Sequence, residues 1–335
     1  MPTTKQVPNH DQSKELHPPV QSDITIQIER LVQAIERHDS PAFRFRQTRA
    51  GYERVEKTRL SRYFTHIQQM LNLFEGRVEY RYSECLQAFR EASQDIGLER
   101  HPGGLVCLNE EVTTWLDHHR SMNVLVARIR QLTREQWYRR KKADRRYQAR
   151  EQECVVCDYS DAIVDCYSRT TIIRIDLYYR SEAQVRLRVE RVFDDLDRLI
   201  AEHERNPIFD HLIGYICTVE QGADRGCHIH AAYFFNGNEV RGDVYKAQQI
   251  GELWERITQG QGHFNSCNHN KGRYADRLGI GLIRRNDRGA RRHLHYAMRY
   301  LVKDEQQLLM KPLRAKCHVR GRRVSDMFTC RWWDI

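Results

Sequence analysis

The sequence predicts an α+β protein: a helical N-terminal region followed by an antiparallel-sheet domain of the split βαβ, ferredoxin-like kind. Three observations lead there. Apolar residues in the first half recur at helical spacing, three β-branched and aromatic runs follow only after residue 170, and the segments between those runs return to the helical period. The 335 residues suffice for about two domains. No apolar run reaches the ~18 residues of a membrane helix; the longest, near Leu212–Cys217, is interrupted by Gly214. Ten cysteines are too few for a disulfide scaffold and read as reduced thiols. A membrane protein, a collagen-like chain and a small secreted domain are excluded on this reading.

Residues 1–22 are polar and carry Pro2, Pro8, Pro18 and Pro19, with no apolar signal-peptide core, so they read as disordered. Residues 23–150 read as a helical domain, with Ile24, Ile28, Leu31 and Ile35, then Tyr63, Ile67, Met70 and Leu71, then Val124, Leu125, Ile129 and Leu132 in register. Residues 151–335 alternate. Thr171–Tyr179 is a strand, and Ser181 caps a helix carrying Val185, Val189, Val192, Leu196 and Leu199. Leu212–Glu220 and Cys227–Phe235 are the next strands, the second ending at the turn signal Asn236-Gly237. A helix over about residues 243–258, a weaker strand at 278–285 and a last helix over about 289–309 complete the order, with the helices expected on one face of the sheet.

The formal net charge is +10, and its clustering points to a polyanion. Arg128–Arg150 holds ten basic residues against Glu135 and Asp144, with Trp137, Tyr138 and Tyr147 interleaved as stacking faces. Arg284–Lys303 holds seven against Asp287, and the C-terminus adds Lys311, Arg314, Lys316, Arg320, Arg322 and Arg323. One such cluster would equally suit a solvated helix face; three favour nucleic acid.

His228-Ile229-His230 carries the chemistry. Alternation along a strand sends both imidazoles to one side and Ile229 to the other, as two nitrogen ligands of one metal require. Sixteen histidines make roughly 0.8 such triplets expected by chance, and His293-Leu294-His295 is a second, placed on a helix where i and i+2 diverge. Glu220 ends the preceding strand across a loop bounded by Gly222 and Gly226. In a hairpin it completes a His-His-Glu set suited to Mn²⁺ or Mg²⁺; otherwise it is an exposed strand-end acid. Tyr296 and Tyr300 lie four apart with Lys303 just beyond, a spacing that suits either two phenols at one site or a packing stripe. Cys154-x-x-Cys157, with Cys166 or with His263, Cys267 and His269, is a weak zinc pattern. There is no P-loop, no Gly-x-Ser-x-Gly and no HExxH.

The His-bulky-His strand, the upstream Glu and the downstream Tyr-x-x-Lys resemble the HUH endonuclease superfamily of replication initiators and relaxases. More narrowly, residues 220–237 with Tyr300-Leu-Val-Lys-Asp-Glu-Gln306 resemble the filamentous-phage (inovirus) initiators, a family also found as the YagK/YfjJ C-terminal domain of prophages. The resemblance spans about residues 165–330. It implies an HUH-type nuclease domain with Glu220, His228 and His230 on a divalent metal (Mg or Mn), Tyr300 as nucleophile and Lys303 as its charged partner. Tyr296 would match the second tyrosine of two-tyrosine members, and Asp176-Leu-Tyr-Tyr departs from their Thr-rich first motif. The implied activity is site-specific nicking and rejoining of single-stranded origin DNA through a 5′-phosphotyrosyl intermediate, starting rolling-circle replication. Arg284, Arg285, Arg291, Arg292 and Arg299 would hold the DNA backbone. The setting would be the cytoplasm of a bacterial host, with its helicase and polymerase as further partners and no membrane. Rival readings are a non-catalytic DNA-binding prophage regulator and a transposase-like strand transferase.

Overall fold

Residues 169–179 alternate large apolar side chains with polar ones, yet nearly every position is buried, which requires cover on both faces of the strand. The structure, a computed structural model, describes residues 20–76, 78–222, 225–302, 308–313, 315 and 318–321. Its N-terminal part comprises α1 (Gln21–Arg37), β1 (Phe43–Gln47), β2 (Glu53–Lys57), α2 (Ile67–Asn72), β3 (Tyr80–Tyr82), α3 (Glu84–Asp95), β4 (Glu99–His101), β5 (Gly104–Val106) and α4 (His118–Leu132). After α5 (Gln136–Cys166) come β6 (Arg169–Tyr179), α6 (Ser181–Gln184), α7 (Val189–Ala201), β7 (Leu212–Gly222), β8 (Gly226–Asn236), α8 (Asp243–Ile257), β9 (Gly262–Ser266), β10 (Gly281–Arg284), α9 (Arg288–Arg299), β11 (Met310–Pro312) and β12 (His318–Gly321). The fold is α+β. Among the described residues no helix is long and apolar enough to cross a membrane.

The main sheet is antiparallel throughout, in the order β10-β6-β8-β7-β12, with β9 also on β6. β6 and β7 therefore run the same way with β8 between them, and β8 and β9 do so with β6 between. The strand expected at 278–285 is shorter, and β9 takes the fourth place in the pattern instead. Its sequence, Gly-His-Phe-Asn-Ser, has no β-branched residue to announce it.

The helices do not keep to one face, contrary to expectation. On one side Ile173, Ile175, Leu177, Ile229, Tyr233 and Phe235 join α7 and α8 in a core that continues into α1, α3 and α4. On the other, Ile172, Ile216, Ala232 and Phe234 meet Tyr159, Ile163 and Val164 of α5 and Leu294 and Met298 of α9. Gly214 lets α5 approach β7: a Cβ there would lie 2.4 Å from Ile163 Cδ1 and 2.6 Å from the Tyr159 hydroxyl. Gly214→Ala is expected to cost about 1–3 kcal/mol of stability by overpacking, read as a shifted denaturant midpoint at unchanged slope.

The N-terminal half is less helical than its periodicity predicts. β1 pairs with β2, β4 with β5, and β3 with β11. These strands are three to five residues long and rich in charge, and the longest alternation, Phe43-Arg44-Phe45-Arg46, covers only four residues. α5 runs unbroken through residue 150, the expected boundary, and α1 begins at Gln21, inside the segment read as disordered. The rest of that segment, residues 1–19, lies outside the described residues.

Candidate metal centre

Strand register builds the site. Glu220 lies opposite His228 across the β7–β8 ladder, and Asp176 lies opposite His230 across β6–β8, so all four side chains share one face. His228 Nε2 is 3.2 Å from Glu220 Oε2, and His230 Nε2 touches the same oxygen. All three residues are buried, so the reading of Glu220 as an exposed strand-end acid falls away. One ligand atom from each lies within 4.8 Å of the others, the sole such group of three among the described residues. His230 Nε2 and Glu220 Oε2 are buried and meet without hydrogen-bond geometry, two orphaned polar atoms of the kind a cation would satisfy. The donor set, two imidazoles and a carboxylate, fits a divalent ion.

The far nitrogens are committed. His228 Nδ1 donates to the Gly226 carbonyl at 3.1 Å, and His230 Nδ1 donates to Asp176 Oδ1 at 2.5 Å, leaving both Nε2 atoms for the site. Burial works against the Glu220 charge, but attraction to the adjoining His228 and His230 imidazoles outweighs it and holds the carboxyl down at about 2. Burial likewise opposes charge on His230, while Asp176 and Glu220 raise it to about 8. Tyr178 extends the network: its hydroxyl is 3.4 Å from Asp176 Oδ2 and accepts from Arg225 at 2.6 Å. Burial, reinforced by the Asp176 charge, pushes that phenol up to about 12, so it stays protonated. Asp176, the residue at which the first strand motif departs from the Thr-rich form, is thus the orienting partner of a candidate ligand. No local pattern identifies that role, because it rests on cross-strand register.

The two tyrosines part company. Helix α9 ends at Arg299, well short of the expected 309, and Tyr300 opens a single 3₁₀ turn, Tyr300–Val302. Its ring lies 5.7 Å from the His230 ring, edge-on, with the Arg174 guanidinium 4.3 Å from its centroid. Arg174 is itself buried, and its Nε has no hydrogen-bond partner. No motif in the sequence marks it. Tyr296 is 58% exposed and lies under Arg277 rather than over the imidazoles. Lys303 lies outside the described residues.

The basic residues divide as well. Arg284, Arg285, Arg292 and Arg299 are exposed. Arg291 is tied to Asp161 at 2.8 Å and to Asp165, and His295 to Asp161 at 2.8 Å, so both pin α9 to α5. In the Arg128–Arg150 run, Arg128, Lys142 and Arg145 bridge Asp95, Glu36 and Glu84. Tyr138 is fully buried and Trp137 half-buried against the core, which leaves Tyr147 as the exposed ring. Cys154 and Cys157 join no group of three metal-capable residues among those described.

A family model, the YagK/YfjJ C-terminal domain, matches residues 130–306, just over half of the chain. The chain belongs to this family. The match takes in all of α5, both faces of the sheet around Glu220, His228 and His230, and Tyr300. No curated protein and no solved structure matches the chain.

Proposed function

We propose that this YagK/YfjJ-family chain is an HUH-type initiator: a metal-dependent nickase and ligase of single-stranded origin DNA that starts rolling-circle replication of a phage, prophage or plasmid. One observation carries the reading, the placement of the Tyr300 ring against His230 at the edge of the His-His-Glu group. Glu220, His228 and His230 would hold Mg²⁺ or Mn²⁺, which supplies charge neutralisation at the scissile phosphodiester. Asp176 keeps the His230 ring turned and its Nδ1 protonated, so that Nε2 stays a ligand. Arg174 holds the Tyr300 ring over the site. The Tyr300 oxygen attacks phosphorus, an O–P bond forms as the P–O3′ bond breaks, the phenolic proton passes to solvent, and the leaving 3′-oxygen is protonated. The phosphotyrosyl ester conserves the phosphodiester energy, so a later 3′-hydroxyl can reverse the step and rejoin the strand. The exposed Arg284, Arg285, Arg292 and Arg299 suit the DNA backbone; Tyr296, outside this arrangement, has no assigned part.

The test is a denaturing gel of the full chain with labelled single-stranded oligonucleotides covering its native replicon. A Mn²⁺-dependent band of protein-linked DNA, abolished by chelator, is expected. Salt-sensitive DNA retention with no such band at any metal would favour the non-catalytic regulator.

A further inference from the structure

The β1–β2 hairpin carries a surface that folding does not explain. Its inner face is docked: Phe43 exchanges backbone hydrogen bonds with the Asn123 side chain of α4 at 2.9 and 2.8 Å, and Phe45 lies under Arg120, which also bridges Glu53 at 2.7 Å. The outer face presents Arg44, Arg46 and Arg54 to solvent. Arg46 and Arg54 stand directly opposite each other in the ladder, a like-charge pair that destabilises an isolated sheet; a single bridge, Arg46 to Glu56 at 3.1 Å, offsets it. The tip is rigid. Thr48 binds the Tyr52 carbonyl through its backbone N–H and its hydroxyl, at 2.8 and 2.9 Å, and Gly51 takes the positive φ of +82° that closes the turn. This frame holds out Arg49 and a Tyr52 ring that is 75% exposed.

We infer that the β1–β2 hairpin is a duplex-DNA-binding ribbon. A two-stranded ribbon has the width that the ~12 Å major groove admits. The arginine row meets phosphates, and Tyr52 and Arg49 enter at the tip. The ribbon gives the N-terminal half a task that does not depend on strand cleavage: gripping double-stranded DNA beside the strand presented to the site. Charge that merely guards an edge strand against aggregation is the competing account.

The measurement is fluorescence anisotropy of the full chain with a labelled duplex of about 30 base pairs, the matching single strand and a duplex RNA, each over a series of salt concentrations. In the variant R44S/R46S/R54S the duplex-DNA salt slope should become shallower by about 2.7, at roughly 0.9 for each phosphate that the three arginines no longer neutralise. Its dissociation constant should rise about tenfold or more, with single-strand binding unchanged. Y52A should weaken duplex binding with the slope retained. A further variant, R49E, sits in the loop and tests the surface should the triple variant fold poorly. Unchanged duplex binding and slope, with or without aggregation of the variant, overturns the proposal; so does equal weakening for the single strand, or a preference for duplex RNA. Nicking of short single strands is expected to survive all three variants, so its absence from the unaltered protein would count against the nickase and leave the ribbon standing.

Discussion

Tyr300→Phe is expected to abolish the covalent protein–DNA adduct, a fall on the order of 10³-fold or more, because the substitution removes the one atom that would bond to phosphorus and nothing else. The ring survives, so its packing against His230 and under Arg174 should survive too. Metal and DNA binding should therefore stay within about twofold, which separates a chemical defect from a structural one. Tyr296→Phe, one helical turn earlier and facing Arg277, should leave first-strand cleavage near wild type. Mapping the labelled peptide after digestion gives the same answer directly. An adduct that persists in Tyr300→Phe and vanishes in Tyr296→Phe would show that the assignment of the two phenols is reversed.

Asp176→Asn should weaken Mn²⁺ binding about 10- to 100-fold, the usual cost of removing the carboxylate that orients a ligating imidazole. The sign of the pH dependence follows from His230. In the metal-free protein Asp176 and Glu220 raise it to about 8, so its ion pairs contribute stability in full below about 6.5 and lose it as pH climbs through about 8. Metal requires the neutral ring, so affinity should rise with pH and level off above about 8, with a proton released on binding. Glu220, held down at about 2, stays ionised across this range; its contribution is present above about 4.5 and is lost only as pH falls toward 2. In Asp176→Asn the His230 value should drop and the plateau should start at lower pH. Calorimetry at pH 6.5 and 8.5 in two buffers of different ionisation enthalpy measures affinity and proton release together. A wild-type affinity that is flat over this range would mean that His230 is not a ligand.

The residues differ in how far their neighbours in the chain reveal them. His228 and His230 could be paired from the triplet alone, because the two-residue period of a strand is local. Glu220 could be added because a hairpin connects it to them through a few residues. Asp176 and Arg174 could not, since the first lies 54 positions from His230 and faces it only through the β6–β8 register. The tyrosine spacing suggested two phenols on one face. Packing separates them: the Tyr300 ring meets His230 and Arg174, whereas Tyr296 lies under Arg277 and largely in solvent. Counting basic residues likewise overstated the charge available to a partner, because Arg291, Lys142 and Arg145 are engaged by internal carboxylates.

What the chain determined by itself was the α+β class, the strand bearing both histidines, the hairpin that carries their glutamate and the net positive charge; each follows from periodicity or composition over a few residues. The tertiary structure alone decided that helices cover both faces of the sheet, which tyrosine meets the candidate ligands, which carboxylate steers His230 and which arginines remain exposed. Those outcomes depend on register and helix packing between segments far apart in the chain, and short-range propensity carries no information about either.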